Sequence, residues 1–232
     1  MRYLVLALAI VFAIVPFFTP FDGFDPERYP MPQRDPAIQP AGWAFSIWGI
    51  IYLGLIVHAA IGVTRGDAAG WRESRAPFAV SLAVGAIWLP VAGVSPVWAT
   101  VLIWVMLIGA LMALFAGRRA GEPWRVDLPL GLYAGWLSAA SFVSLALLGA
   151  GWGVLFDDLG WARVLLPVAV GFAALMLWRM GVVPGYAAAV AWALVGIVAK
   201  SWGVHMDVAL MALAGIAALG GVLLATTRRK SA

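Results

Sequence analysis

"GWAFSIWGIIYLGLIVHAAIGV" (residues 42–63) carries no acidic or basic side chain other than His58 across 22 residues. A helix rises about 1.5 Å per residue, so this run is long enough for roughly 30 Å of bilayer hydrocarbon. Seven more runs share its character, at 3–19, 76–94, 97–116, 127–150, 162–180, 183–201 and 206–227. The third and fourth are divided only by Gly93, Ser95 and Pro96, whose turn chemistry splits a stretch about twice the length of one span. The chain is 64% hydrophobic and 11% charged, with mean hydropathy +0.96, which no soluble domain matches. The expected fold class is all-α: a polytopic transmembrane helix bundle of about eight spans.

Basic residues orient such a bundle, because cytoplasmic loops collect Lys and Arg. With eight spans, one side receives Arg2, Arg65, Arg72, Arg75, Arg118, Arg119, Arg125, Arg179, Arg228, Arg229 and Lys230, and the other only Arg28, Arg34, Arg163 and Lys200. Both termini are therefore expected in the cytoplasm, with the protein in a bacterial inner (plasma) membrane. The first run begins with Arg2 like a signal peptide, but bulky "FFTPFDGF" follows in place of a small-residue cleavage site, so a retained helix is expected. The one long loop, 20–40, lies on the outer side and contains Pro20, Pro26, Pro30, Pro32, Pro36 and Pro40. Prolines at that density stiffen the segment into a cover.

Composition also narrows the chemistry. The chain has no cysteine and two histidines, so disulfides, thiol catalysis and a cysteine or histidine metal cluster are not expected. The net charge of +4 comes from loop arginines without an aromatic-lined basic stripe, and no nucleic-acid partner is expected. No phosphate loop, nucleophile elbow or dinucleotide glycine fingerprint occurs; the expectation is a protein that is not an enzyme and needs no cofactor.

The aromatic residues carry the remaining information. Of 13 tryptophans, Trp43, Trp71, Trp98, Trp124, Trp152, Trp161, Trp178 and Trp202 stand near span ends, where indoles settle at headgroup level. Trp48, Trp88, Trp104, Trp136 and Trp192 lie deeper, where an indole N–H needs a partner. Phe45, Trp48 and Tyr52 share one helical face of 42–63, with Trp43 pointing the other way. Pro129, Tyr133, Trp136, Ala140 and Ser144 share a face of 127–150. Helical rise puts Trp48, Trp88, Trp136 and Ser144 at about 10, 13, 18 and 6 Å below the outer surface. They could line one cavity beneath the proline-rich loop. Two readings stand: ordinary interhelical packing, or a slot for a flat, hydrophobic ligand such as a tetrapyrrole or carotenoid.

Three motifs in order carry a resemblance. "PAGWAFSIWGIIY" (40–52), "GAIWLP" (85–90) and "LPLGLYAGWLSAASFVS" (128–144) resemble the tryptophan-rich sensory protein family, the translocator protein and peripheral benzodiazepine receptor group. Its second helix opens on Pro-Pro-x-Trp-x-Phe, its third carries Asn-x-x-Trp-Ser-Pro and its fifth Pro-Tyr-x-x-Trp. The spacing from Trp43 to Trp48 is one residue shorter than in that pattern, Gly85 replaces its asparagine, and Ser144 stands where asparagine is frequent. The resemblance covers about 1–152 and implies a five-helix bundle with a pocket under the first loop. Residues 153–232 would add three helices and a short basic tail. It further implies a membrane receptor or carrier with a sensory or regulatory role, often a homodimer, binding porphyrin or another hydrophobic molecule such as a carotenoid or sterol-like lipid. The expected ligand-binding residues are Phe45, Trp48, Tyr52, Trp88, Tyr133, Trp136, Ala140 and Ser144. A structural subunit of a larger membrane complex is the alternative.

Charges in or near the spans complete the reading. His58 is expected to bond a backbone carbonyl near the cytoplasmic end. Lys200 is expected to snorkel to the surface, with a carboxylate-binding role as the alternative. The pair Asp157 and Asp158 is expected to form a solvated turn, and His205 and Asp207 flank the last outer turn.

Overall fold

The computed structural model describes residues 1–19 and 23–231, with side chains through Arg228. Pro20 and Asp22 of the loop, and the side chains of Arg229 and Lys230, thus lie outside the description. Eight helices account for nearly all of it: α1 (Arg2–Phe18), α2 (Ile47–Thr64), α3 (Trp71–Ala92), α4 (Pro96–Gly117), α5 (Leu128–Gly151), α6 (Asp158–Met180), α7 (Pro184–Ser201) and α8 (Met206–Ser231). No strand occurs among the described residues. Seven of the helices, with their short flanking turns, are long and apolar enough to cross a membrane, and α1 follows closely at 17 residues.

Two boundaries differ from the sequence expectation by five residues, and α6 starts and α8 ends four residues beyond it, at Asp158 and Ser231. Helix α3 starts at Trp71, five residues early, because the Glu73 carboxylate accepts the Gly70 N–H at 2.6 Å and so lets charged "WRESR" begin the helix. Residues Gly42–Ser46 form a 3-10 turn before α2, which winds Trp43 outward and Phe45 inward. The turn between α3 and α4 is where expected: Ser95 caps α4, accepting the Trp98 N–H at 3.3 Å, and Pro96 occupies its first position.

The helices pack in two rings that share α5. One runs α1, α2, α5, α4, α3 and back to α1; the other runs α5, α6, α8, α7. Lipid supplies no hydrophobic drive between helices, so close approach and interhelical hydrogen bonds hold them. Gly131 and Gly135 of α5 lie against the backbone of α7 around Tyr186, where any Cβ would collide. Ser81 of α3 meets the Tyr133 hydroxyl at 2.9 Å, Thr100 of α4 meets Ser144 Oγ at 2.7 Å, and Ser138 meets the Tyr186 hydroxyl at 2.8 Å. These pairs fix the rotation of α5, and hence which of its side chains face the first ring.

Candidate functional site

Inside the first ring, near the end covered by the long loop, lies a cavity of about 200 Å³ walled by all five helices. Phe12 comes from α1, Trp48 and Tyr52 from α2, Trp88 from α3, Met106 from α4 and Trp136 from α5. The rings brace one another. Trp48 stacks on Tyr52 at 5.1 Å and 22°, Phe12 stands edge-on to both, and Phe45 meets Trp136 edge-on at 5.5 Å. A smaller lobe of about 60 Å³ shares Phe45, Trp88, Ile103, Trp136 and Ala140 with it. That lobe ends under Phe24, Gln39 and Pro40 of the loop and reaches Ser144.

The polar inventory of this cavity is short, with the Gln39 amide at the edge of the smaller lobe. Trp88 already donates its indole N–H to the Ala99 carbonyl at 2.9 Å, and Ser144 is engaged with Thr100. The Trp48 and Trp136 indole N–H groups and the Tyr52 hydroxyl have no hydrogen-bond partner among the described residues. No acidic or basic side chain lines either lobe. The chemistry on offer is aromatic surface plus a few unpaired hydrogen-bond donors, suited to an apolar ring system bearing an acceptor atom.

The model of the TSPO-like protein family matches residues 2–225. The chain belongs to that family. No curated protein and no solved structure matches it. The match runs through α6 and α7 and most of α8, so the second ring lies within the matched segment of this TSPO-like membrane protein.

Seven of the eight residues singled out from the sequence meet at the cavity: Phe45, Trp48, Tyr52, Trp88, Trp136, Ala140 and Ser144. Tyr133 stands behind the wall, fully buried, bonded to Ser81 and edge-on to Phe12 and Trp48. Gly85, where the family pattern has asparagine, makes room for the Phe12 ring, 2.7 Å from where a Cβ would stand. Phe12 and Phe24 are not among the residues expected from the sequence; neither belongs to a motif, and no local pattern marks them.

Several charged and aromatic residues do more than expected. Trp71 is a buried packing residue, not an interfacial indole: it stacks on His58 at 4.8 Å and donates its N–H to Glu122 at 3.0 Å. His58 meets a carbonyl as expected, that of Arg125 at 2.7 Å. Around them Glu122 also pairs with Arg65 at 2.7 Å and Arg125 at 3.1 Å, and Arg75 binds Asp67 together with the Gly62 and Gly66 carbonyls. The Trp71 N–H, joined by Arg125 and Arg65, outweighs partial burial and holds the Glu122 carboxyl below the usual carboxylate range. At the opposite end Lys200 does not snorkel free; it is mostly buried and bonds Asp35 at 2.7 Å. Asp157 is exposed in the turn, as expected, and caps α6 through the Gly160 N–H, whereas Asp158 is half-buried and accepts the Ala37 N–H at 2.9 Å. Asp207 pairs with Arg163 at 2.6 Å.

Proposed function

We propose that this protein is a non-enzymatic membrane receptor or carrier that takes a hydrophobic planar ligand, a tetrapyrrole first among them, into the aromatic cavity, with a sensory or regulatory role. The observation that carries the reading is the combination of five-helix aromatic walls with unpaired donors on Trp48, Trp136 and Tyr52. These donors belong to side chains that line the cavity, where an acceptor atom of a ligand would complete them. In the same reading both termini face the cytoplasm of a bacterial cell, which the arginine-rich loops at that end support.

Size sharpens the ligand. Drug-sized pockets span roughly 300–1,000 Å³, and the main lobe, at about 200 Å³, is smaller. A four-ring macrocycle would therefore enter by one edge, leaving the rest outside the wall or displacing Phe45 and Trp48, which are only half buried. The test is a fluorescence titration of purified protein with protoporphyrin IX. Saturable tryptophan quenching is expected, with affinity reduced about tenfold in Trp48→Ala and in Trp136→Ala, on the scale of a lost aromatic pair plus its buried area. Unchanged affinity in both variants would remove the cavity as the site.

A further inference from the structure

From Met31 to Ala44 the segment above the cavity is fastened to the second ring. Met31 N–H bonds the Gly151 carbonyl at 2.9 Å, Ala37 N–H bonds Asp158, and Ala41 N–H bonds the Gly196 carbonyl at 3.1 Å. Lys200 holds both the Asp35 carboxylate and the Pro36 carbonyl, and Trp192 donates to the Ala44 carbonyl at 2.8 Å. Tyr29, Ala37, Ile38 and Ala44 are buried under it. Gly196 lets Pro40 and Ala44 lie directly on α7; a Cβ there would be 2.9 Å from each. Loops open cheaply when few bonds and little buried surface hold them, and this one has many of both.

The wall between α1 and α3 is held by packing alone, Phe12 against Gly85, and no side-chain hydrogen bond crosses it among the described residues. Pro16 lies near the end of α1 and Pro90 near the end of α3, and each lacks the N–H that would bond the carbonyl four residues back, Phe12 and Ala86. Consecutive residues of these two helices point about 100° apart and so reach different surfaces. Pro16 and Leu89 line the cavity, while Val15 and Pro90 line a groove on the outside of the bundle. At this seam adjacent residues of the same helix line the cavity on one side and the outer groove on the other.

We propose that α6 and α7 clamp residues 31–44 as a fixed roof, and that the cavity exchanges its ligand sideways with the bilayer through the α1–α3 seam. The proposal rests on the receptor reading above, and it gives the second ring a purpose. It also answers the size of the cavity, since a ligand arriving from lipid can leave part of itself there.

The absence of cysteine allows a clean test in lipid vesicles. One protein carries Asp35→Cys and Lys200→Cys, another Val15→Cys and Ala86→Cys, and each pair is joined by a short bismaleimide. The rate of protoporphyrin IX exchange is then read by tryptophan quenching before and after linking. Linking the roof is expected to leave the rate within about twofold, and linking the seam to slow it at least tenfold. A roof link that slows exchange tenfold, or a seam link without effect, overturns the route. Absence of saturable quenching in the unlinked wild-type protein would instead refute the receptor reading.

Discussion

At the basic end of the first ring, Trp71 stacks on His58 and donates to Glu122 while His58 and Arg75 bond nearby backbone carbonyls, leaving no comparable cavity; at the roof end, Trp48, Tyr52 and Trp136 surround open space, their donors without a partner among the described residues. The same residue type does both jobs. A tryptophan whose ring is stacked and whose N–H is bonded contributes packing and polar satisfaction together. One whose N–H is left over, beside a cavity, spends its surface on something not yet present. The difference teaches that tryptophan content alone says little; the partner of each indole nitrogen decides its role.

That contrast can be broken at either end. The largest effect is expected from Trp71→Ala, which removes a buried ring, unstacks His58 and strips Glu122 of a donor. It should cost about 3–5 kcal/mol of stability, read as thermal unfolding in detergent, while the folded fraction binds protoporphyrin IX as before. Trp48→Ala should do the opposite, losing affinity with a smaller loss of stability because the ring is only half buried. Equal stability losses at the two positions would erase the distinction.

The smallest effect concerns pH. Glu122 has a lowered value when folded, so its stabilisation is fully present above the ordinary unfolded value of about 4.3 and disappears as pH falls through the lower folded one. Melting temperature should therefore drop on acidification below about pH 4, and Glu122→Gln should flatten part of that drop, by up to about 1 kcal/mol. A Glu122→Gln profile that superimposes on the wild type would show that the network at the basic end gives nothing in this range.

Much of the fold was legible in the sequence, because bilayer thickness and the 1.5 Å rise turn apolar run length directly into helices. The cavity lining was partly legible for a similar reason: helical spacing brought Trp48 and Tyr52 to one face of α2 and Trp136, Ala140 and Ser144 to one face of α5, while Phe45 reaches the cavity from the turn before α2. What escaped depends on contacts between distant segments. Lys200 meets Asp35 and Pro36, and Asp158 meets Ala37, across more than a hundred residues, and no local pattern announces such pairs. Trp71 was misassigned because an indole beside charged residues at a span end has the same local signature whether it faces headgroups or folds under a neighbour. Tyr133 has the right spacing for the cavity, and only its bond to Ser81 places it behind the wall.

The account's central claim is that an uncharged aromatic cavity at the roof end is the ligand site. It is tested most directly by titrating the wild-type protein with protoporphyrin IX dimethyl ester beside the free acid. With no cation in either lobe, burying a carboxylate there has no compensation, so the ester should quench tryptophan fluorescence saturably and at least as tightly as the acid. Saturable binding of the acid with none of the ester would mean that an anion-binding surface elsewhere holds the porphyrin, and would contradict the assignment.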